Sequence, residues 1–289
     1  MGTSVSVQPA GESPMGVSTS VEDKLERLKR SGIQDAVEGL PEAKANADVE
    51  VALDRLRRNN LRDALATFAD AFKNGIGLPA DRVADVMIEV AGALISAFEI
   101  DGQSPIAYDF FRTVGSEAAE VIAGLLELAN FPVGNEDPAT LSESVMLAYA
   151  GSLSAAGRHD NAIGILARLL VKSPNELPLS HAMFVAQRRQ AGLSDDLRGR
   201  FCEVPFEGSD VLPDGNVHLC CAAYMYKNVG NLFLQGHDAI WNSPAAQSIR
   251  QSIHDGSFRF CNKLKCPRFG NGLPLASKIL AAETPLKNP

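Results

Sequence analysis

Gly157-Arg158-His159-Asp160-Asn161-Ala162-Ile163-Gly164-Ile165-Leu166-Ala167-Arg168-Leu169-Leu170-Val171-Lys172-Ser173-Pro174 is the stretch that decides the fold. A turn residue, Gly157, is followed five positions later by the small Ala162, where two helices can approach closely. Apolar Leu166 and Leu169 then follow at +4 and +7 on the same helical face. The spacing recurs upstream in Asn59, Ala64, Phe68 and Ala71, and again in Gly102, Ala107, Phe111 and Val114. Each set has the logic of a helical hairpin. Around them a helical period runs from residue 21 to about 192 with no strand signal. It predicts helices over 21–30, 47–59, 61–74, 80–100, 105–114, 117–130, 139–156, 161–172 and 177–191. The expected fold is mainly α, made of stacked helical hairpins over 21–195.

With Gly157, Ala162 and Pro174, the last set resembles a tetratricopeptide repeat. The repeats are degenerate: Ala64 to Ala107 is 43 residues and Ala107 to Ala162 is 55, where that family uses about 34. The resemblance implies a concave face that binds a protein or peptide partner, because stacked hairpins bury a continuous core and leave one face free. His159 and His181 read as surface or packing residues, and the acidic residues here as a solvated face.

Composition bounds the rest. The chain has 289 residues, 45% hydrophobic, 21% charged and 6% aromatic, enough apolar material for one large or two ordinary cores. No window approaches the roughly 18 uninterrupted apolar residues of a membrane helix, and the N-terminus shows neither the basic nor the apolar region of a signal peptide. A cytoplasmic protein with no membrane partner is expected. The net charge of -8 argues against nucleic acid as a partner, since such binding rests on basic contacts. Residues 1–20, rich in Ser, Gly, Pro and Val, read as a disordered tail.

Charge and cysteine both change near residue 196. The last third carries +2 and the remainder -10, and all five cysteines, Cys202, Cys220, Cys221, Cys261 and Cys266, lie in that last third. After Gly192 short apolar runs are punctuated by Pro, Gly, Asp and Asn. Asp214 and Gly215 form a turn dipeptide joining two short strands. Residues 240–253 are helical in period, with Ser243 as N-cap, Pro244 at the first position and Gly256 ending the helix. The small α+β domain is placed at 196–272 and a tail at 273–289. Four thiolates converging from two loops would make a closed soft-ligand site, suited to an iron-sulfur cluster or to zinc. Seventeen residues separate Cys202 from Cys220, unlike the close pairs of a zinc ribbon. Zinc stays open as the alternative, and disulfides are disfavoured where thiols are kept reduced.

Cys202-Glu203-Val204-Pro205-Phe206, Pro213 through Cys221, Gly230-Asn231-Leu232, Ile240-Trp241-Asn242-Ser243, Arg250, and Phe260-Cys261 through Cys266-Pro267 resemble the SPASM domain. That domain is the auxiliary iron-sulfur module found after the barrel of radical SAM enzymes. The resemblance covers about residues 198–270 and implies Cys202, Cys220, Cys261 and Cys266 as ligands of one 4Fe-4S cluster, with Cys221 an alternate ligand or a small neighbour. Trp241, Asn231 and Asn242 read as structural signatures of the module, and His218 as a donor beside the site. Arg250, Arg259, Lys263, Lys265 and Arg268 are candidates for offsetting the cluster's charge. The full family has seven cysteines and two clusters, whereas this chain has five and matches a single-cluster form. No Cys-x3-Cys-x2-Cys motif occurs, so the cluster that cleaves S-adenosylmethionine in that family is missing and radical chemistry by this chain alone is not expected. The resemblance implies an accessory that presents substrate or passes an electron to a separate radical SAM enzyme. The alternatives are an enzyme whose cluster binds substrate and a zinc-stapled interaction scaffold.

Overall fold

Left-handed backbone at Asn59, Gly102 and Gly157, with φ of 61°, 76° and 88°, turns the chain at the three positions marked by the repeated spacing. The computed structural model describes residues 46–74, 80–130, 142–271 and 273. The tail expected over 1–20, the helix over 21–30 and the C-terminal tail beyond Leu273 lie outside the described residues.

The first part is helical: α1 (Asn46–Arg57), α2 (Leu61–Asn74), α3 (Ala80–Glu99), α4 (Ser104–Thr113), α5 (Ser116–Asn130), α6 (Glu143–Ala155), α7 (His159–Lys172) and α8 (Leu177–Gln190). The expected start of α6 at 139 moves to Glu143, because Ser142 caps it by accepting the Val145 N–H. Helix α1 packs on α2, α5 on α6, α6 on α7 and α7 on α8, while α3 crosses α5 and α6. The small and apolar residues of the repeated sets point inward: Ala64, Phe68, Ala71, Ala107, Phe111, Ala162 and Leu166 are all buried in one core. At Gly151 a Cβ would lie 2.3 Å from the Phe111 ring, so α4 and α6 meet where only glycine fits. Among the described residues no helix is long and apolar enough to cross a membrane.

The cysteine-rich part contains the single turn α9 (Val204–Glu207), strands β1 (Asp210–Val211), β2 (Asn216–His218) and β3 (Gly230–Asn231), then α10 (His237–Trp241), α11 (Pro244–His254) and α12 (Pro267–Asn271). The strands form an antiparallel sheet in the order β1-β2-β3, with Val211 opposite Val217 and Val217 opposite Gly230. Gly215, at φ 84°, makes the hairpin turn, and a Cβ there would strike the Asn231 amide oxygen. The helix expected over 240–253 is broken at 242–243: Ser243 accepts the Ala246 N–H and starts α11 afresh, with Pro244 behind it.

Packing crosses the boundary placed at 195/196. Phe184 and Val185 of α8 share a core with Leu197, Ile253, Phe258, Phe269 and Leu273. Helix α8 therefore serves two cores, one face toward the helical layers and the other toward the cysteine-rich module.

Candidate metal centre

Three segments deliver the cysteines. Cys202 precedes α9, and its sulfur accepts the Val204 N–H. Cys220 follows β2, with the Cys221 N–H directed at its sulfur. Helix α11 ends at His254, and two residues on, Gly256 has a φ of +74° and a Cβ there would meet the Arg198 Cα at 2.7 Å, so the chain can turn back only with glycine there. The returning segment carries Cys261 and, after one tight loop, Cys266 at the start of α12.

Asn262 shapes that loop. It is 1% exposed, and its amide oxygen accepts the N–H groups of Leu264 and Lys265 at 3.2 and 3.0 Å and the Ser180 hydroxyl of α8 at 2.9 Å. Its backbone N–H donates to the Tyr224 carbonyl, tying the loop to the segment after Cys221. His218 is buried, and its Nδ1 lies 3.2 Å from the Met225 carbonyl, so it braces the same segment from β2.

Electrostatics show which thiols are neighbours. Burial pushes the Cys261 thiol up to about 12, and the charges of Cys202, Cys266 and Cys220 add to the rise. Burial likewise raises Cys220 to about 11, with Cys202, Cys266 and Cys221 contributing. Cys202 is raised by burial and by Cys266, opposed by the Val204 N–H and Arg268. Cys202, Cys220, Cys261 and Cys266 thus lie within electrostatic reach of one another and are half-buried, while Cys221 is exposed. Among the described residues no three His, Cys, Asp or Glu groups are set to hold a single metal ion.

The basic residues sort differently from their spacing. Lys263 is 3% exposed; its Nζ lies 2.8 Å from His181 Nδ1 and donates to the Ser257 and Phe258 carbonyls at 3.0 Å. Burial pulls this lysine down to about 7, while Cys261 works against the fall. Arg268 pairs with Glu203 at 2.6 Å and acts on Cys202. Arg250 is a packing residue: it donates to the Pro205 and Trp241 carbonyls and lies 4.2 Å over the Trp241 ring. Arg259 pairs with Asp255, and Lys265 donates to Asn175 and Tyr226. Asn231 donates to the Asp214 carbonyl and accepts the Phe233 N–H, and Asn242 donates to the Asp238 carbonyl.

Sequence reading left His181 among packing residues and missed its place at this site. Its ring stacks on Tyr108 with centroids 3.9 Å apart, and it holds Lys263 across the seam. Burial, then the charges of Lys263 and Arg112, hold the imidazole well below its ordinary range, so it is neutral. No local motif signals this contact, because its partners stand 73 and 82 residues away.

Residues 202–267 match the family model described as SPASM, an iron-sulfur cluster-binding domain. The match implies iron-sulfur cluster binding and gives no support to zinc. No curated protein and no solved structure matches the chain.

Proposed function

We propose that Cys202, Cys220, Cys261 and Cys266 hold one 4Fe-4S cluster, and that the protein is a non-catalytic accessory to a separate radical SAM enzyme. The observation that carries the first part is the convergence of these thiols from three segments while Cys221 faces solvent. The donor set suits the group: four soft sulfurs, half-buried and within electrostatic reach of one another. When bound, such a cluster supplies one-electron transfer.

The chain's own residues would tune that site. Lys263 and Arg268 bring positive charge toward Cys261 and Cys202, offsetting the thiolates. The Val204 and Cys221 N–H groups directed at two of the sulfurs favour their ionised form. A protein or peptide partner would meet the free face of the helical layers. The accessory reading is supported by the absence of a Cys-x3-Cys-x2-Cys motif among the five cysteines of the sequence.

The test is protein purified without oxygen, with iron, sulfide and zinc quantified in the wild type and in single Cys→Ala variants. About four irons per chain and a broad visible absorption are expected. Alanine at any of the four ligand positions abolishes both, and Cys221→Ala keeps them. One zinc and a colourless solution, or iron loss in Cys221→Ala alone, would overturn the assignment. A cluster unchanged by strong reductant would overturn electron transfer.

A further inference from the structure

Most of the large apolar side chains left exposed among the described residues stand singly, as Val51, Val171 and Leu193 do, and need no partner to explain them. Phe233 and Leu234 are different. They are adjacent, 74% and 83% exposed, and among the described residues Phe233 is the one aromatic in that group. They form the tip of the loop 232–236 between β3 and α10. The loop stands beside the β1-β2 turn, where a Cβ on Gly215 would lie 2.7 Å from the Phe233 ring. Val211, half-exposed, belongs to the edge strand of the same sheet.

Hydrogen bonds fix this loop from within. The Leu232 N–H donates to the Gly215 carbonyl at 2.9 Å, the Phe233 N–H to Asn231 Oδ1 at 2.9 Å, and the N–H groups of Leu234 and Gln235 both to the Asn231 carbonyl at 3.0 Å. Asn231 is itself held, its Nδ2 donating to the Asp214 carbonyl and to Asn216 Oδ1. Gln235 Oε1 folds back to 2.7 Å from where a Cβ on Gly230 would stand. Four consecutive N–H groups are thus answered while both apolar side chains remain in water. A loop ordered before contact loses little further freedom on binding, and an aromatic presented in this way is the kind of residue that anchors an interface.

Charge selects the occupant. From Glu207 to Asn242 the chain has four acids, Glu207, Asp210, Asp214 and Asp238, and one base, Lys227, whereas the last third as a whole is +2. All four acids are exposed. Asp214 precedes Gly215 in the turn, and Asp238 opens α10 just after the loop with its side chain fully in water. Two copies meeting through this tip would set like charges against each other, and an anionic bilayer would be repelled. A basic protein surface is attracted by the same four charges.

We propose that the 232–236 loop is a docking tip, and that Phe233 and Leu234 seat in an apolar recess with a basic rim on a separate protein chain. The acids steer that chain in, and the two apolar side chains hold it. This contact belongs to the cysteine-rich module, and it requires neither the cluster nor the accessory role.

Fluorescence anisotropy on the full chain, purified without oxygen and assayed for iron, tests this with two labelled synthetic amphipathic helices. They share a leucine face, and one carries lysines and the other glutamates on its polar face. The lysine helix should bind at least about tenfold more tightly than the glutamate helix. Phe233→Ser with Leu234→Ser should weaken it at least about tenfold, and Asp238→Asn about threefold with a shallower salt dependence. Val171→Ser, at a valine 84% exposed on α7, should change nothing. The substituted side chains are all exposed, so the fold is not at risk. A lysine helix that binds the double variant as well as the wild type, or binds neither, overturns the proposal. So does a dimer in sedimentation, or pelleting with phosphatidylserine vesicles, that the double variant abolishes, since the tip would then serve a second copy or a bilayer. Iron-loaded protein that fails to discriminate overturns the docking tip alone. Iron-free protein that discriminates supports the tip and overturns the cluster assignment.

Discussion

Replacing Asn262 by leucine keeps most of the volume and removes the acceptor around which the loop from Cys261 to Cys266 is built. Its amide oxygen answers the Ser180 hydroxyl at 2.9 Å, the Lys265 N–H at 3.0 Å and the Leu264 N–H at 3.2 Å. Leu264 keeps a fallback, since its N–H also reaches Ser180 Oγ at 3.3 Å. That leaves one amide and one hydroxyl without acceptors in a buried place, at roughly 1–3 kcal/mol each. Together they come to about 3 kcal/mol, which for a urea slope of about 3 kcal/mol/M lowers the midpoint by about 1 M. Trp241, the single tryptophan, reports the module's unfolding by fluorescence. Ser180→Ala removes one donor from Asn262 and leaves both loop amides answered, so it should cost only about 1 kcal/mol. Because the loop carries two of the four proposed ligands, Asn262→Leu should also lose iron, and Ser180→Ala should keep it. Equal midpoints for the two variants, or full iron content in Asn262→Leu, would refute the view that this side chain shapes the site.

Gly256→Ala forces a left-handed residue with a Cβ 2.7 Å from the Arg198 backbone and should cost more than about 2 kcal/mol, whereas Gly157→Ala, with open space around its Cβ, should cost about 1 kcal/mol; denaturation midpoints compare them. Asp196, held down to about 2 chiefly by its hydrogen bonds from Arg198, contributes stability above its unfolded pKa that is lost as pH falls toward 2. The pair is partly exposed, so the contribution is below about 1 kcal/mol. Melting temperatures taken from neutral pH down to about pH 2 should fall less steeply for Asp196→Asn than for the wild type.

The helical part was legible because its signal is local. A turn residue, a small residue five later and apolar residues on one face report a hairpin without knowledge of the neighbours, and Asn59, Gly102 and Gly157 all proved left-handed. The start of α11 was legible for the same reason: Ser243 and Pro244 carry their roles in adjacent positions. The break before it was hidden, because a period of apolar residues runs through 240–253 whether or not the backbone turns at Asn242. The cysteines declared themselves by clustering and by motif order. The charged residues around them did not, since Arg250 and Lys263 look alike in sequence, yet one stacks on Trp241 and the other faces Cys261.

What separates those two arginine and lysine fates is the helical layer itself. Lys263 can be buried because His181, from α8, offers a third hydrogen-bond partner beside the Ser257 and Phe258 carbonyls. His181 in turn is held by the stack on Tyr108, whose hydroxyl donates to the Pro178 carbonyl at 2.6 Å and fixes α4 against α8. A chain of contacts therefore runs from the helical core through the seam to the residue two places after Cys261. The helical layers are thereby part of the site's electrostatics as well as a scaffold beside it.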